Sequence, residues 1–551
     1  MRAFEPGQIG DVQIRNRIVM APMISNLGTP RGEVTDQHIR YMTERARGGA
    51  GLIITEYTFI DSENSRGSPN ELGAYSMDLV PKLARLTEKV HEHGARIFMQ
   101  LVHAGGKALS GLNRKGNFAP SSVDYLGRIP AEMSVEDMES VKAHFSSAAM
   151  LAEKAGFDGV EIHGAHGYLI QEFLSPSLNV RNDAYGGSTE NRLRFPQEVI
   201  DEIRKSISIA VGIRLSLLEF DEGGYGPDYG FEVAWKLRNL DYVHFSAGRN
   251  APPGSSGSYF IPHHPIVDLI PERLDVPVMA VGSIVNERDV EVALNRVDFV
   301  SMGRALLADP YFPRKLRLHS GLPRPCIRCN QACRKLSAGE VRCTVNPDTG
   351  LEGLSRTGKV YRGEIDIVGA GVKGLEAAIL AAKSGLKTRL HEKMDSIGGQ
   401  LNTIFESCQR KEFSALLEYY SDTIRRLGIE TILGETFKGD GLYCLPDVVY
   451  PSIRHGSSVS IDTNIYQYLD EAIRLADSSS VILSERSVLS LDRGRAVGYR
   501  KVAEDSGISI MNLDRYDIVR FDRNQYDIRS AMISGRHALS EYLEEREMEY
   551  L

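Results

Sequence analysis

Val276-Pro-Val-Met-Ala-Val-Gly-Ser283 and Asp298-Phe-Val-Ser-Met-Gly-Arg304 are short, apolar through their middles, and end alike on a glycine and a polar side chain. Six earlier runs share their character, at residues 18–23, 51–58, 96–103, 159–165, 210–217 and 242–248. Most are near-continuous in Val, Ile, Leu and Ala rather than alternating, which suits strands buried on both faces of a parallel sheet. The stretches between them, such as 78–93 and 134–155, have helical length and amphipathic spacing. Eight strand–helix units in this span predict a closed (β/α)8 TIM barrel rather than an open doubly wound sheet.

Beyond the barrel the character changes. Cys326, Cys329, Cys333 and Cys343 form C-x₂-C-x₃-C-x₉-C, in a chain with six cysteines in all. Each thiolate must reach one soft metal centre, and compact runs of this kind hold iron–sulfur clusters. A new unit then opens at Ile365-Asp-Ile-Val-Gly-Ala-Gly-Val-Lys-Gly-Leu375 and continues to Glu392. There Gly369 makes the tight turn, Gly371 admits a pyrophosphate to the backbone, and Gly374 lets the helix pack on the strand. Glu392 falls where a carboxylate accepts a ribose hydroxyl. The expected architecture is therefore a TIM barrel over 1–320, a cluster-bearing connector over 321–360, and a Rossmann-like dinucleotide-binding domain over 361–551. No second strand-linked glycine fingerprint follows residue 430, since 439–441 and 494–498 lack the spacing. The nicotinamide-binding half of that last domain is accordingly expected to be reduced or degenerate.

Composition excludes several classes. Of 551 residues, 42% are hydrophobic and 25% charged, and the net charge is −8, which leaves no basic surplus for nucleic acid. No apolar stretch reaches the length of a membrane span, and residues 1–11 lack the pattern of a signal peptide. Clustered thiols in a chain of this length suit the reducing cytoplasm. Cys408 and Cys444 read as unpaired packing residues.

In a barrel the chemistry lies at the C-terminal ends of the strands. The fourth strand ends in Glu161-Ile-His163-Gly-Ala-His166-Gly-Tyr168, and two imidazoles and a phenol there suit binding a carbonyl oxygen and donating a proton. A metal at His163 and His166 lacks an evident third ligand. At the seventh and eighth ends Gly282, Ser283, Gly303 and Arg304 offer small residues, backbone amides and a guanidinium where barrels commonly bind phosphate. The Gly-, Ser- and Pro-rich segment 250–265, with His263 and His264, is expected to cover the mouth and carry specificity.

At these residues the sequence resembles the old yellow enzyme superfamily, and within it the large iron–sulfur branch that includes 2,4-dienoyl-CoA reductase and trimethylamine dehydrogenase. The marks are Asn16-Arg-Ile-Val-Met-Ala-Pro-Met23, Gln100-Leu-Val-His-Ala-Gly-Gly106, Ile162-His-Gly-Ala-His-Gly-Tyr-Leu169, Tyr185-Gly-Gly-Ser-Thr-Glu-Asn-Arg192, Val281-Gly-Ser283 and the cysteine run. The likeness implies noncovalent FMN, touched by Ala21, Pro22, Met23, Gln100 and Arg214, with its phosphate on Gly282, Ser283, Gly303 and Arg304. It implies that His163 and His166 bind the activating oxygen and that Tyr168 protonates carbon. It also implies a [4Fe–4S] cluster on the four cysteines, and FAD or ADP on Gly369, Gly371, Gly374 and Glu392. There are departures. No cysteine stands in 24–28 to carry the flavin covalently, and the single tryptophan, Trp235, falls on an outer helix instead of in a cation-binding cage.

The resemblance implies hydride transfer from FMN N5 to the β-carbon of an activated C=C bond, with electrons arriving through the cluster from a C-terminal flavin, NAD(P)H or a partner protein. The reverse flow, oxidation of an amine or C–H bond with electrons leaving to an external acceptor, fits a reduced nicotinamide half equally well. A non-catalytic partner-binding relative is a third reading, strongest for residues 430–551. A homo-oligomer is also in keeping with the family.

Overall fold

The computed structural model describes residues 1–445 except 110, 115, 126, 222, 250–265, 335–338, 355–359 and 404–409, and beyond them 458–463, 476, 480–484, 503–505, 507–511, 519–521 and 528–546. The segment bearing His263 and His264, residue Cys408 and the glycines of 494–498 lie outside the described residues.

All eight strands form. They are β1 (Ile18–Met20), β2 (Leu52–Ile54), β3 (Arg96–Val102), β4 (Gly159–Gly164), β5 (Ala210–Ser216), β6 (Tyr242–Ser246), β7 (Val278–Val281) and β8 (Phe299–Met302). Every neighbouring pair is parallel, β8 returns to β1 through Val300 opposite Ile18, and β2 pairs β3 through Ile53 opposite Ile97, so the sheet closes. Thr58–Phe59 extends the line of β2 along the upper part of β3. Helices α1 (Asp36–Arg47), α2 (Val80–His91), α3 (Val135–Lys154), α4 (Leu169–Leu174), α5 (Thr189–Ser206), α6 (Pro227–Lys236), α7 (Glu287–Leu294) and α8 (Arg304–Ala308) fill the crossovers. Their starts are written in the sequence: Thr35 caps α1, and Ser134 with Asp137 forms a capping box on α3. Trp235 stands on α6 at 55% exposure, on the outside as expected.

The bottom of the barrel is apolar and sealed. Ile9 and Ile14, from the hairpin that pairs Gly7–Ile9 with Val12–Ile14, pack with Val19, Ile54, Phe98, Tyr242, Met279 and Phe299 in one buried cluster. With that end plugged, polar side chains inside the barrel collect toward the other end.

The second part is built on β9 (Glu364–Val368), α9 (Val372–Lys383), β10 (Lys387–Glu392), α10 (Arg410–Arg426), β11 (Glu430–Leu433) and β12 (Leu442–Tyr443), a parallel sheet in the order β11-β10-β9-β12. Four more strands, β13 (Ser458–Thr463), β14 (Ser480–Ser484), β15 (Ser509–Met511) and β16 (Val519–Phe521), make a separate parallel sheet in the order β15-β14-β13-β16. The two sheets thus repeat one winding, although only the first carries a glycine fingerprint. The chain then returns to the first: α11 (Ile528–Glu545) lies on α9 so closely that a Cβ at Gly535 would fall 2.1 Å from the Lys373 carbonyl oxygen.

A buried ion network ties the connector to α9. Glu376 on α9 accepts from Arg324 at 2.7 Å and from the Tyr420 hydroxyl at 3.1 Å, and it faces Arg536 on α11 at 3.4 Å. Burial alone would raise the Glu376 carboxyl, but Arg324 and Arg536 outweigh it and hold the group below its usual value.

Candidate active site

The open end of the barrel holds a cavity of about 360 Å³, in the size range of small-molecule sites. Its floor is a layer of polar side chains on inward positions of adjacent strands. Glu161 on β4 accepts from Gln100 on β3 at 2.6 Å and from Tyr242 on β6 at 3.0 Å, and it pairs with His244 Nδ1 at 2.9 Å. Arg214 on β5 reaches across to the Pro22 carbonyl at 3.4 Å and to Ser246 Oγ at 3.3 Å. Burial lowers the guanidinium to about 10, still cationic at neutral pH. Sequence reasoning found Gln100 and Arg214 but missed Glu161 and His244. Their signal was a charged or titratable side chain at an inward-facing strand position, which is costly to bury unless it is paired.

On this floor stand the three residues singled out at the end of β4. The Ala165 amide donates to His163 Nδ1 at 3.3 Å, which leaves the proton of the neutral ring on Nε2. His166 Nε2 lies 2.7 Å from Ser246 Oγ, and the residue holds a left-handed backbone at φ 59°. Burial drives both imidazoles far below their ordinary value, with Arg214 adding to the effect, so both are neutral. Tyr168 packs at 4.9 Å from the His163 ring and 5.3 Å from the Tyr57 ring. Its own burial pushes the phenol up to about 12, so it keeps its proton. Tyr57 lines the same cavity and burial raises its phenol too, so two protonated phenols and two neutral imidazoles face one space.

The opposite wall is made of Ala21, Pro22 and Met23 after β1, with Gly282, Ser283, Gly303 and Arg304 after β7 and β8. Ser283 Oγ, Ser301 Oγ and Arg214 Nε are buried there without partners. Native proteins rarely leave such groups unmet, so a ligand rich in acceptors suits the wall. Cys333, Arg334 and Val341 close the cavity from the connector side. Arg328 pins that connector by donating to the Ser283 carbonyl at 3.0 Å and to Glu412 at 3.0 Å.

The four cysteine thiols are unbridged, and burial, with neighbouring thiols of the run adding to it, raises Cys326, Cys333 and Cys343. Among the described residues no group of three or more His, Cys, Asp or Glu converges tightly enough for a single ion. A cluster of several irons needs its ligands spread wider than one ion does, and the apolar setting of Ile327, Val341 and Val345 suits one. Arg328 N–H lies 3.4 Å from Cys326 Sγ, a contact of the type that tunes such centres.

In the glycine turn before α9, Gly369 takes φ 104°, and a Cβ at Gly374 would fall 1.8 Å from the Gly369 carbonyl oxygen, so both glycines are required. At Gly371 a Cβ would meet nothing within 4 Å, an open place at the start of α9. Glu392 ends β10, where Oε2 accepts from the Ala370 amide at 2.7 Å and Oε1 from the Met394 amide at 3.0 Å. Each oxygen keeps a further lone pair.

Residues 2–323, the whole barrel with this cavity, match the model of the NADH:flavin oxidoreductase / NADH oxidase family. The chain belongs to that family. It is a flavin oxidoreductase of the iron–sulfur branch of the old yellow enzyme superfamily. An NADH oxidase of Thermoanaerobacter brockii is 37% identical over 466 residues, 81% of this chain and 72% of that one. A cinnamate reductase of Clostridium sporogenes is 32% identical over 469 residues, 78% of this chain and 70% of that protein. Matches of this length run beyond the barrel into the connector and the nucleotide turn. A solved histamine dehydrogenase from Rhizobium sp. 4-9 superposes with a TM-score of 0.83 at 22% identity, covering 98% of this chain and 96% of that one, and so shares the fold. Among the described residues no helix is long and apolar enough to cross a membrane.

Proposed function

We propose that the protein reduces the activated carbon–carbon double bond of a small α,β-unsaturated substrate at the barrel mouth. The observation that carries this reading is one phenol held protonated beside two imidazoles held neutral, all lining one cavity. His163 Nε2–H and His166 hold the substrate's carbonyl oxygen and stabilise the enolate as charge gathers on it. Tyr168 delivers a proton to the α-carbon, and its raised pKa ensures that the proton is present throughout the neutral range. FMN, when bound, supplies the hydride from N5 to the β-carbon. Ala21, Pro22, Met23, Gln100 and Arg214 would face its ring, with Arg214 placing positive charge beside it, and Gly282, Ser283, Gly303 and Arg304 would hold its phosphate.

On this reading Cys326, Cys329, Cys333 and Cys343 would hold a [4Fe–4S] cluster that relays electrons singly. Gly369, Gly371, Gly374 and Glu392 would hold the ADP part of FAD. The second sheet, wound like the first, would receive NAD(P)H, or a cytoplasmic donor protein would take its place. The three units would then fall at 1–320, 321–360 and 361–551. Anaerobic titration of the purified holoprotein tests the direction of flow. Bleaching of flavin absorbance by NADH or NADPH, followed by reoxidation with an enone, is expected. Bleaching by an amine, with no response to NAD(P)H or enone, would instead assign the site to amine oxidation.

A further inference from the structure

Five cationic side chains line the cavity: Lys107, Arg214, Arg249, Arg304 and Arg334. Among the described residues no aspartate or glutamate lines it. The proposed function gives Arg214 and Arg304 to the flavin, and Arg249 is matched by Asp221 at 3.1 Å. Lys107 differs. Its ammonium donates to the carbonyl oxygens of His166 at 2.7 Å and Arg249 at 3.4 Å, which orient it without neutralising it. It stands 5.1 Å from the Tyr168 ring centroid, directly beside the proposed proton donor. The nearby Glu172 carboxyl, which burial raises, turns its Oε2 to the Gly106 amide at 3.1 Å and makes no ion pair with Lys107 among the described residues.

We propose that Lys107 is the anchor for an anionic group on the substrate, so that the site favours α,β-unsaturated carboxylates over neutral enones and disfavours amines. The inference rests on the reading of the barrel mouth as the substrate site. Reducing a free enoate builds a second negative charge on a carboxylate that already carries one, and two neutral imidazoles cannot balance it. An ammonium lining the same cavity, with no ion-pair partner among the described residues, can, because charges inside a desolvated cavity interact strongly. The same field repels a substrate that arrives as a cation.

Isothermal titration of the flavin-loaded protein with 3-phenylpropanoate and 3-phenylpropanamide, neither of which can be reduced, tests the anchor. The wild type should prefer the carboxylate. Lys107→Met should lower the carboxylate-to-amide affinity ratio by about 10- to 100-fold, the worth of one charge-assisted hydrogen bond, and Lys107→Arg should restore much of it. Burial lowers the lysine to about 8, with Glu172 and Asp221 raising it and Arg334 and Arg249 lowering it, beside the Tyr168 phenol. The charge is present below that value, so the carboxylate preference should fade as pH climbs through it and be flat with pH in Lys107→Met. An unchanged ratio in a folded, flavin-loaded Lys107→Met overturns the anchor, as does a wild type that prefers the amide or binds neither this carboxylate nor butanoate. Turnover separates the two readings. If the wild type reduces cinnamamide as well as cinnamate, only the anchor falls; if amines alone reduce the flavin, the double-bond reading falls with it.

Discussion

On the proposed function, the barrel mouth and the glycine turn solve the same problem, holding a charged cofactor, in opposite ways. The turn does it locally: Gly369, Gly371, Gly374 and Glu392 lie within one strand–helix–strand unit, and the backbone supplies the donors. The mouth does it by convergence, with Gln100, Glu161, Arg214 and His244 meeting on a floor that four strands build together. A local site can survive with the rest of its domain altered, and the second sheet illustrates the converse, since it keeps the winding order without a fingerprint. A convergent site ties its chemistry to the whole barrel. Between them the connector touches both, with Cys333 in the cavity wall and Arg324 on the nucleotide helix.

If the connector is the only electrical link, cutting it should be all-or-none. Cys329→Ser should abolish the brown cluster absorbance and the NAD(P)H-driven turnover while dithionite-reduced flavin still reacts with substrate. Retained cluster absorbance in that variant would show that the ligand set is wrong. Next in size, Tyr168→Phe removes the phenol that packs against His163 in the cavity. The reoxidation of reduced flavin by substrate should slow by about 10²- to 10⁴-fold, with flavin content unchanged. Stopped-flow traces equal to wild type would take Tyr168 out of proton delivery.

How much of this could be read from the sequence follows the same division. The eight strands were legible because a strand buried on both faces must be apolar along its length, and β1 to β8 all fall inside the runs seen there. The glycine turn was legible because Gly374 has no substitute where a Cβ would strike a carbonyl oxygen. His163, His166 and Tyr168 stood out because they crowd one strand end and do converge on one cavity. Glu161 and His244 escaped notice because their meaning is a pairing across 83 residues, which no local pattern announces. Lys107 went unremarked, because only the carbonyl oxygens that hold it reveal that it turns inward. The second sheet was missed because charged and polar residues dominate 477–527 and its periodicity is weak.

The joint between the two regions can be loosened without touching either site. Glu376→Gln leaves Arg324 buried and unmatched, and removing one partner of such a pair typically costs about 3–5 kcal/mol. Thermal melting should show the C-terminal part unfolding earlier, with the flavin of the barrel released at its usual temperature. Simultaneous loss of both would mean that barrel and nucleotide unit melt as one body.

The smallest and most discriminating change compares two glycines three residues apart. Gly374→Ala forces a Cβ to within 1.8 Å of the Gly369 carbonyl oxygen, and overpacking of that kind should cost about 1–3 kcal/mol of stability. Gly371→Ala places its methyl in open space, so the melting temperature should hold within the scatter of a surface substitution, about 0.5 kcal/mol. If that space is where a pyrophosphate approaches the backbone, the same methyl should weaken binding of FAD or ADP by about tenfold, a penalty of about 1.4 kcal/mol that appears only when ligand is present. Equal dinucleotide affinity in Gly371→Ala and wild type, measured by fluorescence titration of deflavinated protein, would remove the local half of the comparison. The turn would then be a packing device with a vacant fingerprint.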